Sequence, residues 1–183
     1  MSPDPVFRTT IRLRGVSREF RAGAGSCTAG VTALDGVSVE IRGGEILLVC
    51  GPRGAGKTTL LLCAAGMLHF DAGTVAGNRP RVVYRDLAHP APSLDGWPAG
   101  GAILLDSCDD VDDLIRPRAA HAIGAALATG SAVVLASRAA ESAFALAPAT
   151  ATISVLHLRR GRIDGSAERG VVHRVAEAGG GGY

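Results

Sequence analysis

The chain has 183 residues, 47% of them hydrophobic and 4% aromatic, with a formal net charge of +2. That length suits one domain with its own core, or one compact domain plus a tail. The near-neutral charge offers no basic stripe, so nucleic acid is not an implied partner. The cysteines Cys27, Cys50, Cys63 and Cys108 show neither metal spacing nor a CxxC pair, and Cys50 and Cys63 fall in apolar runs that read as core.

In chain order, residues 9–14 alternate apolar and polar side chains, the pattern of a half-buried strand. Residues 37–41 alternate too, and Gly43-Gly44 turns the chain into a run of Glu-Ile-Leu-Leu-Val-Cys over 45–50. That run has no alternation and predicts a strand buried on both faces. Good helix formers fill 57–68, with Gly73 past the end. Residues 74–76 and 81–84 predict two short strands around a Gly77-Asn78 turn. Prolines and glycines make 88–101 a loop, and 102–105 is an apolar strand delivering Asp106. An acidic stretch (Asp109, Asp110, Asp112, Asp113) reads as a solvated loop before a helix from Pro117 to Gly130. A buried strand over 132–136 precedes Arg138, and 153–158 with Ile163 forms a hairpin across Arg160-Gly161. Residues 1–164 are thus read as one domain, with 84–101 as a shortened linker and 165–183 as a flexible tail. With no secretory signal visible and no apolar stretch of spanning length, the expectation is a cytoplasmic protein without direct membrane insertion.

Between strand and helix lies Gly51-Pro52-Arg53-Gly54-Ala55-Gly56-Lys57-Thr58-Thr59, which fits G-x-x-x-x-G-K-[ST]. Lys57 is the only lysine of the chain, in a composition that favours arginine elsewhere. Glycines let backbone amides curl around phosphate oxygens, the helix adds the positive end of its dipole, and a flexible ammonium reaches the β- and γ-phosphates. The hydroxyl of Thr58 is placed to ligate Mg²⁺, and Asp106, at the end of the next strong strand, to hold the shell of that ion. Gly51, Arg53, Gly54, Ala55, Gly56, Lys57, Thr58 and Thr59 are therefore the candidate nucleotide ligands.

Taken with Ala33-Leu34-Asp35-Gly36-Val37, Gly44-Glu45-Ile46-Leu47, Ala65-Gly66-Met67-Leu68 and Asp71-Ala72-Gly73-Thr74-Val75, this loop resembles the ATPase subunit of ATP-binding cassette (ABC) transporters. The resemblance covers about 9–84 closely and 102–164 less so. It implies an α/β fold: a P-loop NTPase core of ABC-ATPase type with a small antiparallel β-subdomain. It also implies ATP and Mg²⁺ as ligands, and a peripheral association with the membrane through a partner. By the same resemblance Phe20 matches the aromatic that stacks on adenine, with an ordinary core role as the competing reading. Ser137-Arg138 falls at the switch-histidine turn and Asp113 at the D-loop aspartate.

The departures bear on catalysis. Only 48 residues separate Lys57 from Asp106, too few for the family's helical subdomain and signature, and no glutamine exists for a glutamine loop. Ser107 stands where the resemblance places the glutamate that polarises the attacking water, and losing a positioned base removes about 10²–10⁴-fold in rate. Arg138 replaces the histidine and is either a γ-phosphate contact or a surface arginine. The expected function is an ATP-binding ABC-type domain with weak or absent hydrolysis, acting with a complete ABC ATPase subunit or a membrane permease. The alternatives are an active ABC transporter ATPase whose partner supplies the signature, with Lys57, Asp106 and Arg138 catalytic, and a remnant whose loop is only a turn.

Overall fold

The computed structural model describes residues 10–21, 30–77, 81–89 and 93–165. Asn78 and the expected tail beyond Gly165 lie outside them. Nine strands and three helices follow in the order β1 (Thr10–Arg21), β2 (Gly30–Arg42), β3 (Glu45–Cys50), α1 (Lys57–Ala65), β4 (Ala72–Gly77), β5 (Val82–Asp86), β6 (Ala102–Asp106), α2 (Arg116–Ala128), β7 (Ala132–Ser137), α3 (Ala140–Phe144), β8 (Thr152–Arg159) and β9 (Arg162–Ile163), counted among the described residues.

The central sheet has the order β5-β6-β7-β3-β8-β9, parallel except for the terminal β8–β9 hairpin. Its inner strands are apolar on both faces because both faces are covered. Along β3, Leu47 and Val49 join a core layer with Leu60 and Leu61 of α1 and Leu13, Leu34 and Val37 of the second sheet. Ile46 and Leu48 join the opposite layer with Ile123 of α2 and Ala143 of α3. Each such side chain contributes about 1.5–3 kcal/mol on full burial, so the missing alternation in 45–50 is the direct record of two cores. The second sheet, β2-β1-β4, is antiparallel.

Three sequence expectations are corrected. The helix over 57–68 stops at Ala65, because Gly66 takes a left-handed conformation (φ 71°) and the amides of Gly66 and Met67 bond back to Cys63 (3.1 Å) and Leu62 (2.9 Å). The strands on either side of Gly77-Asn78 do not form a hairpin: β4 pairs with β1, whereas β5 pairs in parallel with β6. The local turn signal was real, but long-range pairing assigned its two arms to different sheets. The first two strands are also longer than their alternating cores, running to Arg21 and back from Gly30. The other elements stand within a residue or two of their expected bounds, and α3 had no signal strong enough to predict it. Among the described residues no helix lies between Leu87 and Gly101, where Gly100 (φ 64°) turns the chain into β6.

Strand order positions the site. Because β7 is inserted between β3 and β6, the glycine loop, Ser137-Arg138 and Asp106-Ser107 all emerge from neighbouring carboxyl ends of parallel strands. That edge is where open α/β sheets bind ligands.

Candidate functional site

A cavity of about 680 Å³ opens at this edge, lined by Arg53, Gly54, Ala55, Gly56, Lys57, Thr58 and Thr59 from the loop, by Asp106, Ser107, Asp109 and Asp110, and by Arg138. Val31 and Ala33 of β2 close its outer side. The structure thus brings together every loop residue expected from the sequence except Gly51, which is buried.

The loop is shaped by close backbone approach. Gly54 (φ 78°) and Gly56 (φ 102°) adopt left-handed conformations, and a Cβ on Gly56 would collide with the carbonyl of Ala33. The amide of Ala55 donates to Pro52 O (3.1 Å), while its carbonyl accepts from the amide of Gly161 (3.0 Å) in the β8–β9 turn. Helix α1 begins at Lys57 with no side-chain cap, so its first amides lack intrahelical acceptors, the arrangement that suits an anion. The ammonium of Lys57 donates to Gly51 O (2.6 Å) and Pro52 O (3.0 Å), folding back along the loop. Burial holds its pKa below the ordinary lysine value, against the opposing pull of the Asp106 and Asp109 charges. A polyphosphate would supply the counter-charge that this position lacks.

Asp106 is 5% exposed. Its Oδ1 accepts from the amide of Ser107 (2.8 Å) and its Oδ2 from the hydroxyl of Tyr84 (3.1 Å). Burial, followed by the Asp106 charge and that hydrogen bond, raises the Tyr84 pKa and keeps the phenol protonated. Thr58 and Asp106 border the same cavity, and a hydroxyl plus one carboxylate, completed by phosphate and water oxygens, is a donor set that suits Mg²⁺. Among the described residues no group of three His, Cys, Asp or Glu side chains forms a dedicated metal cage, which the same chemistry does not need.

The segment after Asp106 departs from the solvated acidic loop expected. Ser107 is left-handed (φ 57°), unusual for a residue with a side chain, and starts a 3-10 turn over Cys108–Asp110. Asp109 is turned inward, with a side chain only 9% exposed. It accepts from Ser137 Oγ (2.7 Å), from the amides of Arg138 (2.6 Å) and Ala139 (3.4 Å), and lies 3.3 Å from the Arg138 guanidinium. Burial pushes this carboxyl up, but the Ser137 hydroxyl and the two amides outweigh it, so its pKa lies below the usual carboxylate value. Arg138 also pairs with Asp110 (3.0 Å). It lines the cavity as expected, with its charge already shared between two carboxylates. Asp113 is 95% exposed in its side chain and pairs with Arg116 (3.4 Å).

Phe20 does not line the cavity. It pairs in register with Val31, which does, and the Arg18 guanidinium lies 4.9 Å from its ring centroid. At 40% exposure it is not the ordinary core residue of the competing reading. Tyr84, Val31 and Ala33 were missed in the sequence. Tyr84 becomes visible only through the β5–β6 register, and the other two only through the extension of β2.

Comparison with known proteins agrees with this geometry. A family model described as "ABC transporter" matches residues 34–93. A Burkholderia ambifaria protein, provisionally described as a ribose/galactose/methyl galactoside import ATP-binding protein, is 41% identical over 100 residues, covering 55% of this chain. The sulfate/thiosulfate import ATP-binding protein CysA of Xanthomonas campestris is 51% identical over 65 residues, covering 36% of this chain. The match spans only 17% of the length of each of these two relatives. Among solved structures, the dimeric, ADP- and Pi-bound ATP-binding cassette MJ0796 superposes with a TM-score of 0.61 at 14% identity, over 85% of this chain and 97% of that one. A bacterial Atm1-family ABC exporter with ATP bound gives 0.59 at 14% identity, over 88% of this chain and 39% of that one. Loop, strand order, second sheet and relatives agree: this chain is similar to the ATP-binding (ATPase) domains of ABC transporters and shares their fold.

Proposed function

We propose that this chain is an ATP-binding ABC-type module that holds Mg²⁺-ATP at Gly51–Thr59 and hydrolyses it slowly or not at all. The observation that carries the reading is a contrast within one cavity. The glycine loop is complete and lines an open cavity, while Asp109, the inward-turned carboxylate of that cavity, is saturated by hydrogen-bond donors. A general base needs a free lone pair and a pKa near the working pH, and Asp109 offers neither. Ser107 carries no charge to replace it.

In this reading the amides of Gly54, Gly56, Lys57, Thr58 and Thr59 hold the phosphates, Lys57 neutralises them, and Arg53 adds charge at the rim. Thr58 and Asp106 hold the magnesium ion, which screens the phosphate charge when bound. Arg138 contacts the terminal phosphate once it exchanges Asp110 for it. Phe20, one strand across from Val31, meets the adenine at the outer lip. The module acts beside a complete ABC ATPase subunit or a membrane permease, as the import ATP-binding descriptions of its relatives suggest. Its place is then cytoplasmic and peripheral to the membrane, and residues 1–164 form its single domain.

A second reading, an active ATPase completed by a partner's signature, is favoured by one observation: Arg138 lines the cavity and could stabilise charge on a transferred phosphoryl group. Calorimetry with Mg²⁺-ATP and single-turnover hydrolysis, run on the pure chain beside Lys57→Ala and Asp106→Asn, separate the readings. Binding that Lys57→Ala abolishes, with negligible turnover, supports the first. Robust turnover by the pure chain rules it out, and turnover that appears only with a partner and needs Lys57 supports the second. No binding at all leaves the loop as a structural turn.

A further inference from the structure

We propose that Tyr84 is a positioning residue for the magnesium-binding carboxylate, setting how strongly the divalent cation couples to nucleotide binding. The proposal deepens the nucleotide-binding reading and rests on it.

The geometry follows from strand register. Tyr84 pairs with Leu104 across the parallel β5–β6 ladder. Side chains alternate along a strand, so Leu104 and Asp106 share a face, about 6.6 Å apart along β6. That face is the one toward α1: Leu104 is buried in the core layer containing Leu60 and Leu61, and Tyr84 packs against it. The phenol therefore runs along β6 toward its carboxyl end, and its hydroxyl meets Asp106 Oδ2 at 3.1 Å. The amide of Ser107 holds Oδ1 at 2.8 Å.

Two donors, one per oxygen, fix the plane of a carboxylate that has about four acceptor positions. Asp106 and Thr58 line the same cavity, so the remaining acceptor positions are the ones left for a cation there. Asp106 is nearly fully buried, and without the phenol its Oδ2 would be short of a partner and free to rotate into another arrangement. The Tyr84 hydroxyl touches neither the glycine loop nor Lys57 in any hydrogen bond of the described residues, so its influence on nucleotide runs through Asp106 and, above all, the cation that Asp106 would hold.

The test measures the affinity of ATP for the full chain twice, in EDTA and in saturating Mg²⁺, and takes the ratio as the magnesium enhancement. In Tyr84→Phe that enhancement should fall about three- to tenfold while the EDTA affinity stays within about twofold of the parent, which also shows the loop is folded. An unchanged or larger enhancement overturns the proposal while leaving nucleotide binding intact. Absence of nucleotide binding by the parent chain overturns both readings. A second measurement avoids altering Tyr84. The sequence has two tyrosines, so Tyr183→Phe leaves Tyr84 alone, and its near-ultraviolet absorption should shift when Mg²⁺ is added to the ADP-bound protein. No shift, with magnesium enhancement present, overturns the proposal.

Discussion

The two walls of the cavity are built on opposite principles. On the glycine-loop side, the backbone is held from outside: Ala33 packs against Gly56, and the Ala55 carbonyl is tied to Gly161, whose own carbonyl accepts from Asp35 (2.8 Å). The inner surface of that wall is left for a ligand. On the Asp106–Asp110 side, the polar groups are satisfied by one another, through Ser107 to Asp106, Ser137 to Asp109 and Arg138 to Asp109 and Asp110. A wall braced from behind keeps its donors available, whereas a wall braced across its own face spends them. Under the proposed function the first suits binding and the second leaves no free carboxylate to take a proton, which is why binding and turnover are expected to part company here.

The sharpest way to break the contrast is at its braced side. In Gly56→Ala, a side chain would meet the Ala33 carbonyl at a left-handed position. The expected result is loss of measurable ATP binding and a stability loss of about 1–3 kcal/mol, read as a fall in thermal midpoint. Lys57→Ala should weaken ATP binding about a hundredfold with little effect on the midpoint, because the side chain serves the ligand rather than the core. If Lys57→Ala lowered the midpoint as much as Gly56→Ala, its contacts to Gly51 and Pro52 would be structural and the two-wall distinction would fail.

On the other wall, Ser107→Glu places a carboxylate where none is free. Single-turnover hydrolysis should rise about ten- to a hundredfold if a missing base is what limits the reaction. No gain would mean that the missing second half of the site matters more.

Asp109 can be probed through pH. Its folded pKa lies below the ordinary value of 3.8, so the stability it contributes is fully present above that value and is lost as pH falls through the folded pKa. Unfolding free energies from urea titration of Asp109→Asn should therefore be lower than those of the parent at neutral pH, by about 1–3 kcal/mol, and the gap should close on acidification below pH 3.8. A gap that persists in acid would show that the Ser137 and backbone bonds survive without the charge.

How far the sequence carried this contrast depends on the range of the signal. The glycine-loop wall was legible as structure because its parts are contiguous: one buried strand, one glycine loop and one helix start within 45–65, each with a local physical cause. Asp106 was legible for the same reason, as a carboxylate ending an apolar run. The inward turn of Asp109 was not, since it depends on Ser137 and Arg138, which the chain brings near only by inserting β7 between β3 and β6. The Tyr84 contact needs a register, and the separation of β4 from β5 needs the whole second sheet. Gly77-Asn78 carried a hairpin signal that local chemistry supports and tertiary pairing overrules.

The finest test concerns the β8–β9 turn that braces the glycine loop. Arg162 donates to Asp35 (2.7 Å) beside the Gly161 backbone bonds, but both side chains are largely exposed, at 73% and 42%. An exposed pair contributes about 0.2–1 kcal/mol and is screened by salt. Arg162→Ala should therefore shift the thermal midpoint by no more than about 2–4 °C, an effect that fades in high salt. Gly161→Ala acts on the backbone instead: at φ 78° its added Cβ would sit 2.8 Å from Ala33 O, forcing the turn off both Ala55 and Asp35. It should weaken ATP affinity severalfold at any salt, about 1 kcal/mol, while Arg162→Ala leaves that affinity unchanged. Equal losses of affinity in the two variants would mean the brace is electrostatic, and the loop would then be held by charge rather than by the fit of three backbone segments.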